Sequence, residues 1–76
     1  MANTKRIEVE LTFPGKYKKE PIFYNIIKEF KVIPNILEAS FSTDMGWAIV
    51  TFEADQAELD KLFGYLEKND VSYNLK

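Results

Sequence analysis

The sequence contains no cysteine and no histidine. Together these two absences exclude disulfide staples, thiolate and imidazole metal sites, Ser-His and Cys-His nucleophiles, and CxxC redox or metal-carrier motifs. Proline and glycine are scarce, at three each, and no apolar run approaches the roughly 18 residues of a membrane span. The start, MANTKRIEVE, alternates charged with apolar residues and lacks the apolar core of a signal peptide, so the expected location is the cytoplasm, without membrane insertion. A surplus of one charge is missing too. Ten Lys and Arg stand against twelve Asp and Glu, a net charge of −2, which sets up no field to attract phosphate backbones or an anionic membrane surface. The expectation is a protein that is not an enzyme, needs no cofactor and binds no nucleic acid.

What is present is apolar: 46% of the residues are hydrophobic and 14% aromatic, the composition of a globular chain. At 76 residues there is room for a single domain spanning 1–76. A core of that size is marginal, and with disulfides and metals excluded, self-association is the remaining source of extra stability.

Along the chain the hydrophobic period changes four times. Ile7, Val9, Leu11 and Phe13 alternate with Arg6, Glu8, Glu10 and Thr12, which predicts a half-buried strand over Lys5–Phe13, ended by Pro14-Gly15. A basic loop of Lys16, Tyr17, Lys18 and Lys19 follows, read as a solvated turn, with a secondary reading as an anion site beside an uncapped helix start. Pro21 suits the first helical position, and Ile22, Phe23, Ile26, Ile27 and Phe30 recur at helical steps. Alternation returns over Asn35–Thr43, with Leu37, Ala39 and Phe41 on one parity, and Asp44-Met45-Gly46 predicts a hairpin into a strand over Trp47–Glu53. Asp55 and Glu58 have the spacing of a helix cap and its capping-box acid, ahead of the stripe Leu59, Leu62, Phe63, Leu66. After Asn69-Asp70, Val71, Tyr73 and Leu75 alternate as a last strand. The order βαββαβ predicts an α+β ferredoxin-like sandwich, a four-stranded antiparallel sheet with two helices on one face.

On this reading Ile7, Val9, Leu11, Leu37, Ala39, Phe41, Val50, Phe52, Val71 and Tyr73 face the helices, and Leu37 is core whether or not a ligand exists. The opposite parity carries Glu8, Glu10, Ile36, Glu38, Ser40, Trp47, Ile49, Thr51 and Ser72. Carboxylates on the first strand oppose RNA binding on that face. The loop GKYKKE has no arginine for acyl-phosphate hydrolysis, and a copper carrier would need two cysteines there. No pair of carboxylates stands out as catalytic. The outward apolar residues Trp47, Ile49 and Ile36, with Glu38 beside them, have two readings: partial cover by nearby loops, or contact with a second copy in a homodimer.

The segment Phe30-Lys31-Val32-Ile33-Pro34-Asn35-Ile36-Leu37, with spacing F-x-V-x-x-N-I-L, resembles the signature of the NIL domain, a branch of the ACT-like small-molecule-binding modules. Phe13, Gly15, Pro21, Ala39, Gly46, Leu66 and Val71 also stand where that family would have them, so the resemblance covers essentially the whole chain. NIL domains are best known as the C-terminal regulatory module of the ATP-binding subunit of methionine-import transporters. There they pair, and methionine binds near the interface. The resemblance therefore implies a non-enzymatic regulatory domain that senses methionine or a related amino acid at or near a homodimer interface. It admits a transporter or another protein as partner. Carried over by position, the ligand contacts are Ile33, Pro34, Asn35, Ile36, Leu37 and Phe41. An apolar pocket with a few polar atoms suits a thioether amino acid. Asn35 keeps a second reading as the cap of the turn into its strand, and Pro34 removes one backbone N–H beside the motif. The rival expectation is a protein-interaction module of the same fold that holds no small molecule.

Overall fold

A computed structural model describes residues 4–15, 21–42 and 44–76. Its elements are β1 (Thr4–Pro14), α1 (Ile22–Glu29), β2 (Ile33–Phe41), β3 (Met45–Asp55), α2 (Gln56–Lys68) and β4 (Ser72–Leu75). All strand pairings are antiparallel and the sheet order is β2-β3-β1-β4. With both helices on one face, this is the expected ferredoxin-like α+β sandwich. The basic loop Lys16–Lys19 and Thr43 lie outside the described residues.

The core is built from one parity of the two central strands and the helical stripes. Val9, Leu11, Phe13, Ala48, Val50, Phe52 and Ala54 meet Ile22 and Ile26 of α1 and Leu59, Leu62 and Leu66 of α2, all buried, with Val32 and Val71 closing the ends. Pro21 sits one position earlier than expected, at the N-cap of α1, where no side chain caps the helix. Met45 and Gly46 belong to β3 instead of the hairpin connection, which Ser42 closes: its N–H and hydroxyl both donate to the Met45 carbonyl, at 2.8 and 2.9 Å. At the far end of α2, Asp70 adopts a left-handed φ of 63° while its N–H donates to the Glu67 carbonyl and that of Val71 to Leu66. That is a Schellman stop, with an aspartate where glycine is the easier residue.

The second strand departs from its sequence pattern. Leu37, Ala39 and Phe41 do not form a buried face; Leu37 is 52% exposed, and every β2 residue other than Pro34 is exposed. Sheet order supplies one reason, since β2 is an edge strand with a neighbour on one flank only. Helix length supplies another: the eight residues of α1 span about 12 Å, too short to roof the roughly 30 Å of a nine-residue strand. The third is a bulge. Ile36 pairs with Val50 but Glu38 pairs with Ile49, so Leu37 is an extra residue and the parity of the strand reverses across it. Directly opposed residues share a face, so Ile36 lies on the helix side with Val50, not outward beside Trp47 and Ile49.

The capping box at α2 is half made. Asp55 accepts from the Glu58 N–H at 2.9 Å, as its spacing predicts. The Glu58 carboxylate does not return to Asp55; it accepts from the Lys31 N–H at 3.0 Å and from Lys61 Nζ at 3.2 Å, tying α2 to the segment between α1 and β2. The Lys31 N–H, followed by Lys61, holds the Glu58 carboxyl below its ordinary 4.5. A folded-state pKa below the unfolded one stabilises the fold above the unfolded value, and that contribution fades as pH falls through the folded value. Urea midpoints taken from about pH 6 to about pH 3 should therefore fall more steeply for the wild type than for Glu58→Gln. Parallel curves would show that the contact has no bearing on acid stability.

Candidate ligand groove beside the edge strand

The helix-free face of the sheet is a grid whose rows follow from the strand register. One row runs Ile33, Glu53, Arg6 across β2, β3 and β1, and the next runs Asn35, Thr51, Glu8. Beyond the bulge come Glu38, Ile49, Glu10 and then Ser40, Trp47, Thr12. Trp47 and Ile49 are half-buried on this face.

The first two rows and the bulge enclose a groove of about 420 Å³, lined by Arg6, Ile33, Pro34, Asn35, Leu37, Thr51 and Glu53. The bulge matters to it, because the extra residue turns Leu37 away from the core and into the lining. One wall is therefore apolar, made by Ile33 and Leu37, with Ile33 at 66% exposure; Pro34 also borders the groove, although it pairs with Phe52 and shares that residue's helix-side face. The other is polar. Arg6 Nη2 stands 3.6 Å from Glu53 Oε1, an open cross-strand ion pair, and Thr51 and Asn35 face each other in the neighbouring row.

Of the six residues expected at a ligand site, the structure brings Ile33, Pro34, Asn35 and Leu37 to this groove. It places Ile36 and Phe41 on the helix side. Phe41 packs on Phe13, with ring centroids 5.4 Å apart, and lies over Gly46, where an added Cβ would come within 2.7 Å of the ring. Gly46 is thus required for space, not for backbone conformation. Of the four residues expected at a dimer contact, Glu38, Trp47 and Ile49 share the helix-free face and Ile36 is on the other. Sequence reading did not assign Arg6, Thr51 and Glu53 to the site. Their parity was legible, but the β1–β3 register that sets Arg6 opposite Glu53 joins segments far apart in the chain.

Among the described residues no group of His, Cys, Asp or Glu is arranged to hold a metal ion, and no helix is long and apolar enough to cross a membrane. The class is thus a small α+β domain of ferredoxin-like fold with an exposed edge strand and a small apolar-and-charged groove on its open face. The NIL domain family model matches residues 8–74, and the chain belongs to that family, one of small, non-catalytic regulatory modules of the ACT-like kind. No curated protein and no solved structure matches the chain.

Proposed function

We propose that this domain senses an amino acid, with methionine or a sulfur-containing relative as the leading ligand, at a site beside the interface of a homodimer. The observation that carries the reading is the meeting of Ile33, Pro34, Asn35 and Leu37 with two opposite charges in one small groove. A polarizable thioether chain suits the apolar wall, and the polar wall suits a head group. The groove is open to solvent on a single copy, whereas small-molecule sites bury most of their ligand. A second copy laid over Glu38, Trp47 and Ile49 would continue the same face and supply the missing cover. Binding would then couple ligand to pairing, which is the form a regulatory signal takes.

A thermal-shift screen against the amino acids, S-adenosylmethionine and related sulfur metabolites tests this. A ligand at 100 times its Kd adds about 2.7 kcal/mol, which in a domain of this size raises the melting midpoint by roughly 10 °C or more. The expected result is a selective rise with methionine, accompanied by a shift toward dimer in sedimentation equilibrium. Flat curves with every compound would end the sensor reading. One observation favours the other reading in that case: β2 is exposed along its length, and an edge strand of this kind can accept a strand from a protein partner.

A further inference from the structure

Arg6 and Glu53 are the only charged residues lining the groove among the described residues. They stand on adjacent strands in directly opposed positions, with side chains 71% and 41% exposed. Their 3.6 Å separation is longer than the roughly 2.7–2.9 Å of a charge-assisted hydrogen bond, and neither side chain makes a hydrogen bond to another described residue. Each therefore keeps its hydrogen-bonding capacity while facing an opposite charge across a gap. The apolar wall lies to one side of the pair, since the row reads Ile33, Glu53, Arg6 from the edge inward.

We infer that Arg6 and Glu53 read the two charges of a zwitterionic head group, Arg6 taking the α-carboxylate and Glu53 the α-ammonium, while the ligand's side chain lies outward over Ile33 and Leu37. The inference rests on the groove being the ligand site. Its physical basis is complementarity: a guanidinium fork matches a carboxylate, a carboxylate accepts from an ammonium, and an α-amino acid holds its two charges on one carbon. The order of the row also fixes the ligand's direction, head toward β1 and tail toward β2. It further predicts rejection of compounds that carry the same side chain but only one of the charges. Decarboxylated, amidated or N-acylated analogues each leave one member of the pair facing an uncharged group.

The test is calorimetric titration of the wild type, Arg6→Gln and Glu53→Gln with methionine, methioninamide and N-acetylmethionine. Wild type should favour methionine over either analogue by about 10- to 100-fold. Arg6→Gln should lose the preference over methioninamide and keep that over N-acetylmethionine; Glu53→Gln should do the reverse. That crossed pattern is one a general loss of stability cannot produce, and melting midpoints near wild type, expected for an exposed pair, would check folding directly. If methionine binds but both variants keep the wild-type preferences, the head group is read elsewhere: this inference falls and the sensor reading stands. Where the thermal screen selects another amino acid, the titration uses that acid with its amide and N-acetyl derivatives; if no amino acid binds the wild type, both fall.

Discussion

Replacing Phe52 with alanine is expected to lower the melting midpoint of the domain by at least roughly 12 °C. Phe52 is fully buried on β3, a central strand, and belongs to the one continuous core that joins sheet to helices. Emptying a site of that size costs about 3–5 kcal/mol, part for lost transfer from water and part for the cavity. A domain of 76 residues has about 4–11 kcal/mol in total. The loss is therefore about a quarter of the stability or more, and at about 4–8 °C per kcal/mol the midpoint should drop by at least roughly 12 °C. Circular dichroism melts and urea titration of both proteins measure this. A drop under about 1 kcal/mol would mean that the neighbours collapse into the space, which a close-packed core between two helices and a sheet resists.

Phe13→Ala should come close to it in size, for a different reason. Phe13 is buried at the end of β1 and among the described residues packs on two other rings: Phe23 of α1 edge-on, centroids 5.8 Å apart, and Phe41 of β2 stacked at 5.4 Å. Its removal costs the same about 3–5 kcal/mol of burial and cavity, within which each ring pair accounts for about 0.5–1.5 kcal/mol. Phe41 is 37% exposed and lies against the Phe13 ring and the bare backbone of Gly46. A double-mutant cycle of Phe13→Ala with Phe41→Ala should accordingly return a coupling of about 0.5–1.5 kcal/mol. Strict additivity would show that the stack contributes nothing and that Phe41 is held by some other contact.

The two substitutions touch elements that differ in how plainly the sequence announces them. The alternation around Phe52 on β3 and the stripe Leu59, Leu62, Leu66 on α2 were legible because each face meets the core along its whole length, so the hydrophobic period is unbroken. Asp55 was legible as a cap because capping is local, a side chain reaching the N–H three residues on. Glu58 was misread for the complementary reason. Its spacing satisfied the local rule, but the Lys31 N–H, 27 residues back, reached it instead. On β2 the same split decides the candidate site. The signature at Asn35, Ile36 and Leu37 lies on the strand that borders the groove, but alternation carried through the bulge put Leu37 in the core and Ile36 on the open face, and the register reverses both.

The sequence by itself determined the order of elements, the fold class and the central core, because these follow from periodicity, turn residues and local caps that neighbouring residues enforce; the family followed from its signature residues. Tertiary structure decided which strand lies at the edge, where its pairing slips by one residue, and that Arg6, Glu53 and Leu37 line one groove. Those outcomes depend on pairing between segments distant in the chain, where the register is settled by packing across the sheet and not by any pattern within a strand.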